Sequence, residues 1–317
     1  MQYRRLGSSG LRVSEVSLGS WLTFGNQVDV RRTGELVARA FDLGVNFFDT
    51  ADVYAGGAAE EALGSALREI PRHQVVLASK CFFPMSPGPN DRGLSRKHVF
   101  ESVHASLRRL GTDYLDLHQC HRPDPETPMQ ETVRAYEDLI RQGKLLYWGV
   151  SQWRAEQIVD ACRWAERCGG FAPVSNQPQY SIMRRQIERE VLRVSQREGL
   201  GQVVFSPLAQ GVLTGKYTGG ALPAGSRASN QRVNQFMGAY LESGELDRVD
   251  RLRPLADEAG VSLAQLALAW CLRHPGVASV IVGATRPEQL EENCKASGVH
   301  LPQPALDAID SLFPAPD

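Results

Sequence analysis

Short apolar runs alternate with amphipathic stretches along the whole chain. The runs are Val16–Gly19, Asn46–Asp49, Val75–Lys80, Tyr114–His121, Leu145–Ser151, Val174–Gln177, Val203–Ser206 and Val277–Val282. They are short, apolar and β-branched, as parallel strands buried on both faces are. Between them the apolar positions recur at helical spacing. Leu36, Val37, Ala40, Phe41 and Leu43 mark a helix over Val30–Gly44, with Gly44 as its stop. Further helices are expected over Ala59–Glu69, Met129–Gln142, Ala155–Cys168 and Ile187–Glu198. Another, capped by Ser95, carries Val99, Val103, Leu107 and Leu110. Two more are expected near Leu246–Ala259 and Leu263–Arg273. Pro287 stands in the first turn of the last barrel helix, where its missing N–H costs nothing, and Pro304–Leu312 forms a short terminal helix.

A strand followed by a helix, repeated about eight times, predicts a (β/α)8 TIM barrel, read as one domain over 1–317. The competing doubly wound sheet normally carries a Gly-x-Gly-x-x-Gly turn after its first strand. Here that strand ends Gly19-Ser-Trp, and no such turn follows. Gln2–Val13 reads as an N-terminal β-hairpin around Gly7-Ser-Ser-Gly10, placed to close one end of the barrel. Phe82–Gly93 follows the third barrel strand and should lie over the active end. Pro207 to about Gly244, after the seventh strand, is long, irregular and glycine-rich. A loop of that length in a compact domain is usually functional.

A net charge of −1 gives no reason to expect nucleic acid or an anionic membrane as partner. No apolar run approaches the ~20 residues of a membrane span. The opening Met1-Gln-Tyr-Arg-Arg lacks the apolar core of a signal peptide. Six cysteines are scattered without a Cys-x-x-Cys pair, which fits a reducing cytoplasm better than a disulfide or zinc scaffold. Cys81 and Cys120 adjoin Lys80 and His121 and read as core fillers alternating away from any site. A homo-oligomer is compatible with the composition.

Three consecutive strands deliver chemistry to one end of the barrel: Asp49 with Tyr54, then Lys80, then His121. A tyrosine serves as an acid near neutral pH only if its phenolate is stabilised, since its free pKa is about 10. Lys80 would lower that pKa by its charge, and Asp49 would orient Lys80. For carbonyl reduction by a nicotinamide, Tyr54 would donate the proton and His121 would position or polarise the oxygen. Asp52 reads as a solvated loop acid. His118 should face the opposite side of its strand from His121, as a hydrogen-bonded core histidine. No metal site is expected, because these two histidines share no face. A Schiff-base aldolase would use Lys80 as nucleophile but leaves Tyr54 without a role.

The run Gly44-Val-Asn-Phe-Phe-Asp-Thr-Ala-Asp-Val-Tyr54 resembles the aldo-keto reductase signature, and nearly the whole chain shares the likeness. It resembles most the branch of potassium-channel β subunits and their bacterial relatives. Gly19-Ser-Trp-Leu-Thr-Phe-Gly25, Gly149-Val-Ser-Gln-Trp153 and Ser206-Pro-Leu-Ala209 carry that likeness. The resemblance implies a catalytic tetrad of Asp49, Tyr54, Lys80 and His121, and NADP(H) as cofactor. In the channel-subunit proteins the histidine position is often asparagine, so His121 favours a competent enzyme over a cofactor-sensing regulatory subunit. The family implies a nicotinamide grip from Ser151, Gln152 and Gln177, with Phe205 stacked on the ring and Ser20, Trp21 and Asp49 nearby. Gln152 stands where asparagine or arginine is usual. Ser206, Pro207, Leu208, Ala209 and Gly211 would wrap the pyrophosphate, with Lys216 and Arg227 covering it. Gly283, Thr285, Gln289, Glu292 and Asn293 would hold the adenosine end, where a helix N-terminus favours an anion. Trp21, Tyr54, Phe82 and His121 would line a pocket for an apolar or aromatic small-molecule carbonyl substrate.

Overall fold

The computed structural model describes residues 1–217, 219, 221, 223, 226, 228–229, 234, 237–240 and 244–316. Two short strands, β1 (Tyr3–Arg5) and β2 (Arg12–Ser14), pair antiparallel as the expected hairpin. Eight parallel strands then close a barrel: β3 (Val16–Gly19), β4 (Phe47–Asp49), β5 (Val76–Cys81), β6 (Leu115–Cys120), β7 (Leu145–Ser151), β8 (Ser175–Gln177), β9 (Gly201–Val204) and β10 (Val277–Val282). They neighbour one another in sequence order, and β10 pairs back onto β3.

The helices wrap the outside: α1 (Val30–Asp42), α2 (Ala58–Leu67), α3 (Arg96–Leu110), α4 (Met129–Arg141), α5 (Ala155–Arg167) and α6 (Val191–Glu198). After them come α7 (Glu245–Asp250), α8 (Arg253–Glu258), α9 (Leu263–Leu272), α10 (Pro287–Cys294) and α11 (Gln303–Leu312). Local signals set several boundaries. Ser95 caps α3 by accepting from the His98 N–H at 3.3 Å, and Asp29 caps α1 in the same way from Arg32. Gly64 on α2 lets the α3 backbone close in, since a Cβ there would lie 2.5 Å from the Leu110 carbonyl oxygen. The single helix expected near Leu246–Ala259 is instead two, α7 and α8. Pro254 causes the break, because its ring cannot accept the turn before it and it has no N–H to donate.

Strand alternation splits the core in two. Phe47, Val76, Ala78, Leu117 and Val203 point into the barrel, where Leu6 and Val13 of the hairpin plug the floor. Phe48, Leu77, Cys81 and Cys120 point outward against the helices. The hairpin is fastened by Arg4, which pairs with buried Glu15 and donates to the Leu272 and Val277 carbonyls. With the floor closed, the open end is the one where β4 finishes at Asp49, β5 at Cys81 just after Lys80, and β7 at Ser151.

Candidate active site

Asp49 and Lys80 share the inward parity of Phe47 and Ala78, which drives both side chains into the barrel. They meet as a fully buried ion pair, Lys80 Nζ donating to Asp49 Oδ2 at 2.6 Å and to the Thr50 carbonyl at 2.7 Å. The third donor of Nζ faces the Tyr54 hydroxyl at 3.4 Å. Gln177 donates to the other carboxylate oxygen of Asp49 at 2.8 Å, so both oxygens are engaged. Across the opening, His121 Nε2 lies 3.5 Å from the Tyr54 hydroxyl, and the two rings meet edge to face at 5.6 Å. The four residues expected to act together are thus brought together.

Tyr54 opens a 3-10 turn just beyond β4, and the turn is tied down on both sides. The Asp52 N–H donates to the Lys80 carbonyl at 3.1 Å, so the tyrosine's turn hangs from the lysine's strand. Asp52 is not the solvated acid expected from sequence: it is completely buried. Its carboxylate accepts from the Val53 N–H at 2.6 Å and from Ser102 Oγ of α3 at 2.8 Å. Burial, opposed by the Ser102 bond and reinforced by the charge of Glu60, pushes its pKa from 3.8 up to about 7. Unfolded chain therefore releases this proton near pH 3.8 while the fold retains it to about 7. Stability should be lost across that window as pH rises, by up to roughly 4 kcal/mol at neutrality. Asp52→Asn is accordingly expected to stabilise the protein at pH 8 and to change little at pH 4. Urea unfolding at the two pH values checks this, and an equal effect at both would rule out a buried neutral acid.

The electrostatics of the site follow from burial against the Lys80 cation, with Arg122 as a weaker second charge. Burial pulls the Lys80 pKa down, but the Asp49 charge and the Tyr54 oxygen outweigh it and hold the lysine above its ordinary value. Burial also raises the Tyr54 phenol, with the Lys80 charge as the main opposing influence. The net direction is upward, which corrects the expectation that Lys80 leaves Tyr54 more acidic than a free phenol. Asp49 lies closer to the ammonium than the phenol does and adds to the rise. Tyr54 therefore carries its proton at neutral pH, the state a donor needs. Burial, then the charges of Lys80 and Arg122, push His121 well below its ordinary value, so its ring is neutral. His118 does face outward, its Nδ1 3.0 Å from the Tyr136 hydroxyl. Cys120 is held near 12 by burial, and Cys81 is also raised, which makes both inert core thiols.

A cavity of about 1070 Å³ runs from Tyr54 and His121 over the barrel end to α10. Trp21, Asp49, Ser151, Gln152, Gln177 and Phe205 line its middle, with Trp21 edge-on to Phe205 at 6.4 Å. Ser206, Pro207, Leu208, Gly211 and Lys216 form one wall, and Gly283, Thr285, Gln289, Glu292 and Asn293 the far end. Three expected contributors lie off this wall. Ser20 is buried and donates to Thr50 Oγ1 at 2.8 Å, and Ala209 is buried among the core side chains. Phe82 packs against the outer core, while Phe83 and Pro84 face the cavity. The reason is that β5 ends at Cys81, so strand parity no longer governs the next residue. Arg227 lies outside the described residues. Sequence reasoning passed over Arg122, Gln179, Tyr240 and Arg286, all on the wall. Arg122 was findable, because it directly follows His121 at the end of β6. Tyr240, held by Gln179 at 2.6 Å, carries no local signal.

The wall suits a dinucleotide. Ser206, Ala209, Gln210 and Gly211 all have positive φ, between 47° and 94°. These angles coil the stretch tightly, the Ala209 N–H donating to the Ser206 carbonyl at 2.9 Å and the Gly211 N–H to the Leu208 carbonyl at 2.8 Å. A Cβ at Gly211 would lie 2.9 Å from Lys216 Nζ, so glycine there leaves room for the ammonium beside that backbone. At the far end Gln289 Oε1 accepts from the Thr285 N–H at 2.8 Å, fixing the entry to α10. Arg286 adds an exposed cation at that entry.

Residues 15–313 match the model of the aldo/keto reductase family. A protein of Arabidopsis thaliana named "Probable voltage-gated potassium channel subunit beta" is 49% identical over 318 residues, covering 99% of this chain and 97% of that protein. One of the same name from Oryza sativa subsp. japonica is 47% identical over 315 residues, 98% of this chain and 95% of that protein. With the barrel, the buried Asp49–Lys80 pair under Tyr54 and a match across almost the full length, the chain belongs to the aldo/keto reductase family.

Proposed function

We propose that this chain reduces aldehydes or ketones to alcohols with NADPH, Tyr54 giving the proton. The observation that carries the reading is the contact chain from Asp49 through Lys80 to the Tyr54 hydroxyl, ending beside neutral His121 at the cavity. The reduced nicotinamide, when bound, supplies the hydride. Ser151, Gln152 and Gln177 would hold its carboxamide, Phe205 and Trp21 its ring, and the Ser206–Gly211 backbone with Lys216 its phosphates. As negative charge develops on the substrate oxygen, the Tyr54 O–H is placed to neutralise it. The ammonium of Lys80 beneath stabilises the phenolate left behind. A neutral His121 ring holds one N–H, which can donate to the same oxygen without being titrated itself. Oxidation of NADPH followed by absorbance over a panel of aldehydes tests the proposal.

The names of the two relatives favour a second reading, a regulatory subunit that binds NADPH and turns over little. Steady NADPH consumption with several aldehydes excludes it, whereas tight binding without consumption supports it.

NADPH should be preferred over NADH. A 2′-phosphate adds negative charge near the entry to α10, where Arg286 and Thr285 line the cavity and the helix dipole favours an anion. Arg227, in the loop after β9, is expected to add a second cation. A charge-assisted contact contributes about 1.5–3 kcal/mol, roughly 10- to 100-fold in affinity. Arg286→Ala and Arg227→Ala should each shrink the preference by an amount in or below that range. Dissociation constants of both dinucleotides for the three proteins decide it, and a ratio unchanged in both variants would displace the phosphate site.

A further inference from the structure

We infer that the preferred carbonyl substrate also carries a carboxylate, bound by Arg122 while its carbonyl faces Tyr54 and His121. This rests on the carbonyl-reductase reading and adds the substrate class to it. Arg122 follows His121 where β6 gives way to its loop, and its half-buried side chain forms part of the cavity wall. One guanidinium nitrogen donates to the His121 carbonyl at 2.5 Å, and the guanidinium carbon lies 5.4 Å from the centre of the Phe83 ring. Both partners are uncharged.

Most other sheltered arginines of the fold are matched by acids: Arg4 by Glu15, Arg72 by Asp116, Arg109 by Glu60 and Arg185 by Glu188. Arg184 is matched instead by the Met183 carbonyl and the Tyr240 ring. Arg122 likewise has no acid partner among the described residues, and unlike Arg184 it stands on the cavity wall beside Tyr54 and His121. The ionisable groups beside it are the Tyr54 phenol, protonated at neutral pH, and the neutral His121 ring, so burial pulls the guanidinium below its ordinary pKa. Sheltering a cation from water without an anion is costly. At the wall of a substrate cavity, the missing anion can arrive with whatever binds there. The planar fork of an arginine matches a carboxylate in two parallel hydrogen bonds, and Arg122 uses one of its donors on the chain itself. Cofactor phosphates are not that anion. Arg122 adjoins Phe83 and His121, whereas Lys216 and Arg286 stand with Gly211 and Gln289 on the dinucleotide walls. Phe83 and Trp21 add apolar surface to the same cavity, so an aromatic or short aliphatic oxo acid is the class expected.

The test compares 4-carboxybenzaldehyde with its uncharged methyl ester as substrates, using NADPH. In the parent protein kcat/KM should favour the acid by about 10-fold or more, mainly through KM. Arg122→Met should cut that ratio by roughly 10- to 100-fold, and Arg122→Lys should restore part of it. A parent ratio at or below one, or a ratio unchanged in Arg122→Met, overturns the inference while leaving carbonyl reduction intact. If neither aldehyde is consumed, the carbonyl-reductase reading fails instead, and benzoate still decides the anion site. Calorimetry on the NADP⁺-loaded protein should show benzoate binding that Arg122→Met abolishes. No binding to the parent, or equal binding to both proteins, overturns it.

Discussion

Replacing Tyr54 by phenylalanine is expected to lower kcat for aldehyde reduction by roughly 10²- to 10⁴-fold, the usual loss on removing a positioned general acid. The substitution deletes one oxygen and keeps the ring. The ring's edge contact with His121 at 5.6 Å and its approach to the Lys80 ammonium at 5.0 Å both survive. The lost hydroxyl contacts, 3.4 Å to Lys80 and 3.5 Å to His121, are long, so little stability should go with them. NADPH binding should be close to that of the parent, because the walls proposed to hold the dinucleotide lie on other elements. Measuring turnover with several aldehydes alongside the NADPH dissociation constant separates chemistry from binding. Turnover within a few-fold of the parent would remove Tyr54 from proton donation.

What was legible in the sequence is what strand period and chain order control. Asp49 and Lys80 could be placed on one inward face because residues two apart on a strand share a side, and parallel neighbours in chain order then bring the pair within 2.6 Å. The same parity put Cys81, Cys120 and His118 outside, where they are found. The reading weakened as soon as the chain left a strand. Phe82 and Phe83 differ by one position, and only the end of β5 at Cys81 decides which of them faces the cavity.

Asp52 failed for a different reason. An acid in a short loop is ordinarily solvated, but its burial here depends on Ser102, a residue far along the chain on α3. No local pattern reports that contact. The sign of the Tyr54 shift was illegible on similar grounds, since it is the balance between burial and a cation whose charge is shared with Asp49. The break between α7 and α8, by contrast, was written plainly in Pro254 and was outweighed by the apolar periodicity around it.

Lys80→Met is expected to damage both rate and stability, and the two losses have separate causes. Methionine matches the length of the stem and fills the buried space, but it removes the charge on which Tyr54 relies. The phenol, already raised by burial, loses its main opposing influence and becomes a weaker acid. Reduction should slow, and the alkaline limb of the rate profile should move to higher pH, because the donor now keeps its proton longer. Asp49 is left buried with Gln177 as its remaining side-chain partner, and the Thr50 carbonyl loses its donor as well. Breaking one side of a buried pair typically costs about 3–5 kcal/mol. The barrel itself should persist, since its inner and outer cores rest on apolar side chains on both faces of the strands. The measurement is a pH–rate profile of parent and variant together with urea unfolding of each. A variant with the parent's profile and midpoint would mean that Lys80 neither tunes Tyr54 nor neutralises Asp49.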